Sequence, residues 1–235
     1  MRMVEGLRTR KKERTRRAIS EVAIAMFLEH GFDRVGVAEI AAAAEVSKPT
    51  LFRYFPSKED LVLDRIADHR GEAATVVRAR PAGRTPLDAL HDAFMAGLDA
   101  REPTTGLCDH PAVMAYHRLV FDTPSLVSRV AEYAAADTEA LAEAMSEAVS
   151  ETAGKAVSET PGPAPRAPAS TSRPVPCLTS RLVAAQYVAV RQILARDNYA
   201  ALASGRTVGE VYGEAVAAAG TAFELLRHGA RAHGL

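Results

Sequence analysis

The chain has 235 residues, 48% of them hydrophobic and 25% charged, which suits a globular protein able to bury a core without metal or disulfide support. It holds no apolar run near the ~20 residues of a membrane-spanning helix. Its basic N-terminus lacks the apolar stretch of a secretory signal, and its two distant cysteines, Cys108 and Cys177, form no C-x-x-C pair, so a reducing, cytoplasmic location is expected. The charges balance, 29 basic against 29 acidic, yet the first twenty residues carry eight basic side chains (Arg2, Arg8, Arg10, Lys11, Lys12, Arg14, Arg16, Arg17) against Glu5 and Glu13. A basic arm on a mildly acidic body fits a protein that meets a polyanion at one end, although a solvated tail would carry the same charges.

Helical spacing recurs along the chain and strand-like alternation is nearly absent, so the fold is read as all-α with about nine helices. Residues 1–9 are expected to be a flexible basic arm. Ile19, Val22, Ala23, Met26 and Phe27 form one apolar stripe on a first helix that begins near Thr9 or Arg10. That helix stops at His30, because Gly31 suits the left-handed residue after a helix and Phe32 can pack behind it. A second helix is expected over Val37–Ala44 and a third from Ser47, with Pro49 in its first turn, to before Pro56. Ser57-Lys-Glu-Asp60 reads as a capping box opening a fourth helix to Arg80. Thr85-Pro86, Pro111 and Thr123-Pro124 open three more, and Thr207-Val-Gly-Glu210 caps the last. Six of the thirteen prolines lie between Pro161 and Pro176, so 154–176 is read as a surface linker.

Two short helices joined by a tight turn, over about 36–55, have helix-turn-helix proportions. In such a motif the start of the second helix meets base edges in the major groove. That helix carries Lys48, Pro49, Thr50, Phe52, Arg53 and Tyr54, with Lys58 on the next.

Here the residues resemble a known family. From Arg14 to Asp64, and above all in GFDRVGVAEIAAAAEVSKPTLFRYFPSKEDLV, the sequence is similar to the DNA-binding domain of TetR-family transcriptional regulators. The matching features are the G-F after the first helix, V-x-x-I-A in the second, V-S-K-x-T-L-F-x-Y-F in the third and P-S-K-E-x-L opening the fourth. The resemblance implies a helix-turn-helix domain over 10–56, a connecting helix over 57–80 that acts as a lever, and a ligand-binding and dimerisation domain over 81–235. It implies that Lys48, Pro49, Thr50, Phe52 and Arg53 face the groove, with Lys48, Thr50 and Arg53 as the polar contacts. Tyr54 and Lys58 would bind phosphates, and the basic stretch around Arg8–Arg17, with Arg10 and Arg14, would approach the adjacent backbone or minor groove. Leu51, Phe55, Ile40 and Phe27 would be core. The sequence departs from the family at two positions: Gly36 stands where Thr or Ser usually precedes the second helix, and Glu45 occupies the turn position that usually holds glycine.

The same resemblance implies a homodimer on a palindromic double-stranded operator, and a repressor released by a small-molecule effector, although the fold also serves activators. The dimer would form through the last two helices, using Val211, Ala215, Ala218, Ala219, Ala222, Phe223 and Leu226; a helix buried within its own chain would look much the same. An effector pocket would draw on His91, Phe94, Met95, Met114, His117, Phe121, Tyr133 and Tyr187, residues that would equally serve as plain core. No cofactor is expected. A metal sensor using Cys108, Asp109, His110 and His117 is an alternative. An enzyme built on His117 near Asp122 is another, although the chain has no G-x-S-x-G, GK[ST] or H-E-x-x-H motif.

Overall fold

The computed structural model describes residues 2–158 and 176–230, with side chains over 10–151 and 176–229. The described residues contain no strand. They form ten α-helices: α1 (Arg2–His30), α2 (Val37–Ala43), α3 (Lys48–Tyr54), α4 (Lys58–Ala67), α5 (Glu72–Arg78), α6 (Pro86–Asp99), α7 (Pro111–Asp122), α8 (Pro124–Ser158), α9 (Leu178–Ala203) and α10 (Val208–Ala230). A single 3-10 turn lies at Pro103–Thr105. No described helix is long and apolar enough to cross a membrane.

The helices fall into two compact units. One comprises 1–69 and 110–133, the other 70–109 and 134–235. Residues 110–133, expected in the C-terminal domain, therefore cluster with the N-terminal helices.

In the first unit the apolar stripe of α1 packs on α4, and Ile40, Leu51 and Phe55 close the core from α2 and α3. Phe27, Ile40, Leu51 and Phe55 are buried, as the resemblance implies. Leu61, Val62 and Leu63 are fully buried in succession, the mark of a helix enclosed on all sides. Their carbonyls remain satisfied: Ser20 Oγ donates to the Leu61 carbonyl at 2.8 Å and the Tyr116 hydroxyl to that of Val62 at 3.0 Å. Gly31 ends α1 at φ +87°, with the Phe27 and Phe32 rings 4.9 Å apart beneath it. α1 begins at Arg2 rather than near Thr9, so the segment expected to be a flexible arm is helical from Arg2. Its Arg, Met, Leu and Glu residues are good helix formers, and Gly6 alone does not break it.

The single helix expected over 57–80 is two helices. α4 ends at Ala67, and α5 starts after Gly71, whose φ of +74° is closed to a continuing helix. The intervening Asp68-His-Arg-Gly71 offers no apolar residue to hold a turn on the core. This break accounts for ten helices where about nine were expected.

In the second unit α10 packs on α6 and α9. Phe223 is the hub: the rings of His91, Phe94 and Tyr187 lie 4.9, 6.1 and 6.0 Å from it. The 3-10 turn meets α9, where buried Asn198 donates to the Thr105 carbonyl at 2.9 Å. Gly106 then passes so close to α9 that a Cβ there would sit 1.9 Å from the Ala195 carbonyl oxygen. α8 continues through Ser158, past the expected helix end before Gly154. The rest of the proline-rich linker, 159–175, lies outside the described residues.

Candidate nucleic-acid interface

The turn between α2 and α3 is a helix C-terminal motif that hands directly to an N-cap. The Val46 N–H donates to the Ala41 carbonyl at 2.9 Å and the Glu45 N–H to that of Ala42 at 3.1 Å, the paired bonds of a Schellman end. The residue between them must be left-handed, and Glu45 has φ +54°. A non-glycine residue pays about 1–2 kcal/mol for that conformation. Val46 packs on the core beyond it. At the other end of α2, Gly36 is the N-cap and its N–H donates to Glu39 Oε2 at 2.6 Å. A carboxylate one turn on thus anchors the helix start without a cap hydroxyl.

Ser47 caps α3, its Oγ accepting from the Thr50 N–H at 3.2 Å. Burial divides the helix cleanly. Leu51 and Phe55 face the core, while Lys48, Pro49, Phe52 and Arg53 are exposed, at positions i, i+1, i+4 and i+5 of one face. The Lys48 ammonium lies 6.0 Å from the Phe52 ring centroid and the Arg53 guanidinium 5.6 Å from that of Tyr54. Tyr54 is half-buried, and so is Thr50, whose hydroxyl is bonded to Ser47 Oγ at 2.8 Å. Arg10 and Arg14 are exposed on α1. Lys58 is turned inward instead: its ammonium donates to the Phe32 carbonyl at 2.6 Å and lies 4.4 Å from the Phe32 ring. It reinforces the α1–α4 junction in this conformation.

Two carboxylates on α4 fasten this domain. Asp60 closes the Ser57 capping box and accepts from Arg129 Nε at 3.0 Å and the Tyr133 hydroxyl at 2.7 Å. Burial pushes its carboxyl up, but the bonds from Tyr133, Arg129 and Ser57 outweigh that and hold it below the usual carboxylate value. Asp64, one turn on, pairs with Arg16 at 2.6 Å. There burial prevails over the arginine and the carboxyl is raised. Arg16 also lies 5.3 Å from the Phe55 ring, so this member of the basic arm is committed to its own domain. Sequence reading missed the Asp60–Arg129 and Asp64–Arg16 pairs, because partners 69 and 48 residues apart leave no local spacing signal.

The eight residues expected to line one pocket do not all fall in one unit. Met114, His117, Phe121 and Tyr133 belong to the first, His91, Phe94, Met95 and Tyr187 to the second. Tyr133 is committed to Asp60. His117 stands between Tyr116 and Phe121, with centroids 6.2 and 5.8 Å away, and burial lowers its pKa. His91, Phe94 and Tyr187 do gather, around Phe223.

The dimer expectation is corrected in its residues. Val211, Ala215, Ala219, Phe223 and Leu226 are buried within their own chain, and Ala222 is half-buried; Ala218 alone of the set is exposed. The apolar side of α10 is consumed by α6 and α9. Exposed apolar residues lie elsewhere, with Leu178, Leu182, Ala185, Ala189 and Ile193 along one side of α9 and Leu225 on α10. The metal alternative also fails on geometry. His110 is the N-cap of α7, its Nδ1 accepting from the Ala112 N–H at 3.2 Å. Among the described residues no three His, Cys, Asp or Glu side chains are grouped to hold an ion.

Residues 19–64 match the family model "Bacterial regulatory proteins, tetR family". The chain is 38% identical over 135 residues to the HTH-type transcriptional regulator TcmR of Streptomyces glaucescens, covering 57% of this chain and 58% of that protein. It is 28% identical over 123 residues to the nucleoid occlusion factor SlmA of Pasteurella multocida, covering 52% and 60%. The matches thus span less than two thirds of these relatives' lengths. The crystal structure of native NalD, the secondary repressor of the MexAB-OprM multidrug efflux pump in Pseudomonas aeruginosa, shares the fold with a TM-score of 0.53 at 16% identity, over 90% of this chain and 96% of that one. Residues 19–64 are thus similar to the tetR family of bacterial regulatory proteins, and over the greater part of the chain the likeness to NalD is one of fold.

Proposed function

We propose that this protein is a sequence-specific DNA-binding transcriptional regulator, a repressor that leaves a palindromic operator when a small molecule binds. One observation carries the reading: within the family-matched segment, α3 keeps Leu51 and Phe55 in the core and turns Lys48, Pro49, Phe52 and Arg53 to solvent. Such a face fits the major groove, with Arg10 and Arg14 available to phosphates. TcmR is named a transcriptional regulator and NalD a repressor, which supports the same activity here.

The partner copy would dock on the exposed stripe of α9, Leu182, Ala185, Ala189 and Ile193, with Ala218 and Leu225 of α10 beside it. The effector would enter the second unit near the His91–Phe94–Tyr187 group, where aromatic walls and one imidazole suit a largely apolar ligand. The ligand acts only through its different affinity for the two conformations; about 3 kcal/mol of coupling lowers operator affinity about a hundredfold.

The test is fluorescence-anisotropy titration of the full chain with DNA from upstream of its own gene, against scrambled DNA, at two salt concentrations. Phosphate contacts alone give a steep salt dependence without sequence preference. A preference of about a thousandfold supports the reading. Equal affinity for the two DNAs, with no enriched site from a random pool, refutes it.

A further inference from the structure

The exposed face of α3 is unusual in what it offers a base pair. Of its four residues only Lys48 and Arg53 carry hydrogen-bond donors; Pro49 and Phe52 are apolar. Phe52 is 40% exposed although it sits in a helix with a complete core side of its own. Phe52 stands outside the buried core, and the part of its ring that meets solvent lies on a surface flanked by cations. Thr50, the other polar residue of the first turns, has its hydroxyl bonded to Ser47 and is half-buried. The Lys48 ammonium, near the Phe52 ring, keeps that surface beside a cation without covering it.

In the major groove thymine alone of the four bases presents a methyl group, and apolar side chains, Phe included, select it by contact. We infer that Phe52, with Pro49 beside it, reads the 5-methyl group of a thymine in each operator half-site, while Lys48 and Arg53 read adjacent guanines through O6 and N7. Phe52 is then a specificity-determining residue whose contribution is apolar. The inference rests on the DNA-binding reading above and adds the base it selects.

The measurement uses the full chain and an operator enriched from random duplex DNA. Each thymine of the operator is replaced in turn by deoxyuridine, which removes only the methyl. Burying one methyl-sized group corresponds to about a fourfold change in affinity, and to about fifteenfold when both half-sites are substituted. At one thymine position per half-site, the unmodified protein is expected to lose that factor. F52A should bind the thymine and uridine operators alike, and F52L should recover part of the discrimination. Because Phe52 lies outside the buried core, F52L should keep the thermal unfolding of the parent and F52A should stay folded with a small loss of Tm. Uridine tolerated at every position, or F52A losing the same factor as the parent, overturns the inference while leaving DNA binding intact. Failure of any sequence to enrich overturns the DNA-binding reading itself, and with it this one.

Discussion

Glu45 holds a left-handed conformation inside the helix-turn-helix, φ +54°, where the two Schellman bonds of α2 demand it. Replacing it by glycine removes a backbone penalty of about 1–2 kcal/mol. Glycine returns about 0.4–1 kcal/mol of that through the larger freedom of the unfolded chain. E45G should therefore be more stable by roughly 0.5–1 kcal/mol, raising the urea midpoint by roughly 0.3–0.5 M for an m-value near 2 kcal/mol/M. E45A separates backbone from charge, since it deletes the carboxylate and keeps the strained φ; its midpoint should stay within about 0.2 M of the parent. DNA affinity should sort the variants differently. Both remove an exposed negative charge from a turn beside the proposed interface, so both should bind more tightly by the same factor, and the gain should shrink as salt rises. Equal stabilisation by E45A and E45G would refute the strain argument, because only glycine relieves it.

Asp60 and Asp64 should respond oppositely to pH. The folded pKa of Asp60 lies below its unfolded value of about 3.9, so its contribution is present above that value and lost as pH falls through the folded pKa. Asp64 is raised, so its contribution is complete below about pH 3.9 and lost as pH rises through its folded pKa. At pH 7, D60N should cost about 1.5–3 kcal/mol and D64N clearly less; urea unfolding at pH 7 and 3.5 should show the difference closing at low pH. G106A drives a methyl into the Ala195 carbonyl at φ +74°, and about 2–5 kcal/mol of strain and overpacking should lower Tm by roughly 10 °C in calorimetry. An unchanged Tm would mean that α9 yields there at little cost. I193R and L225R should convert the protein to monomers in sedimentation without lowering Tm, whereas V211R should unfold it. For the interface itself, R53A should weaken specific binding more than nonspecific binding and Y54F should weaken both alike; equal losses across DNA sequences would overturn those assignments.

The elements legible in the sequence were those with local chemistry. Gly31, Ser47, Ser57, Thr85 and Pro86 each mark a helix end by their own backbone or side-chain preference, and each stands at that end. The core side of α3 was legible from the family resemblance, and the spacing agrees with it, because Leu51 and Phe55 lie one turn apart. Gly71 could have been read as a break, but helical periodicity on both sides bridged it. The side of α10 that packs was not legible. Its small and large apolar residues suit a partner chain as well as α6 and α9, and burial against the chain's own helices decides between them. The division of the expected pocket residues between two units was invisible for a related reason. Where α7 packs depends on contacts such as Tyr116 to the Val62 carbonyl, 54 residues away.

The small size of the reading surface has a consequence for assembly. α3 is seven residues long and exposes two polar readers and two apolar ones. Each good base contact discriminates by about 1–3 kcal/mol, so the two polar readers supply about 2–6 kcal/mol. Specific regulators exceed their own nonspecific binding by roughly 4–10 kcal/mol, a range that one domain barely reaches. Two domains related by a two-fold axis double the discrimination and place it in that range. Added cations on α1 cannot substitute, because Arg10 and Arg14 would meet phosphates, which every sequence presents. On this reading the exposed apolar stripe of α9 and the short polar inventory of α3 are linked: selectivity for an operator requires the second copy that the stripe would bind.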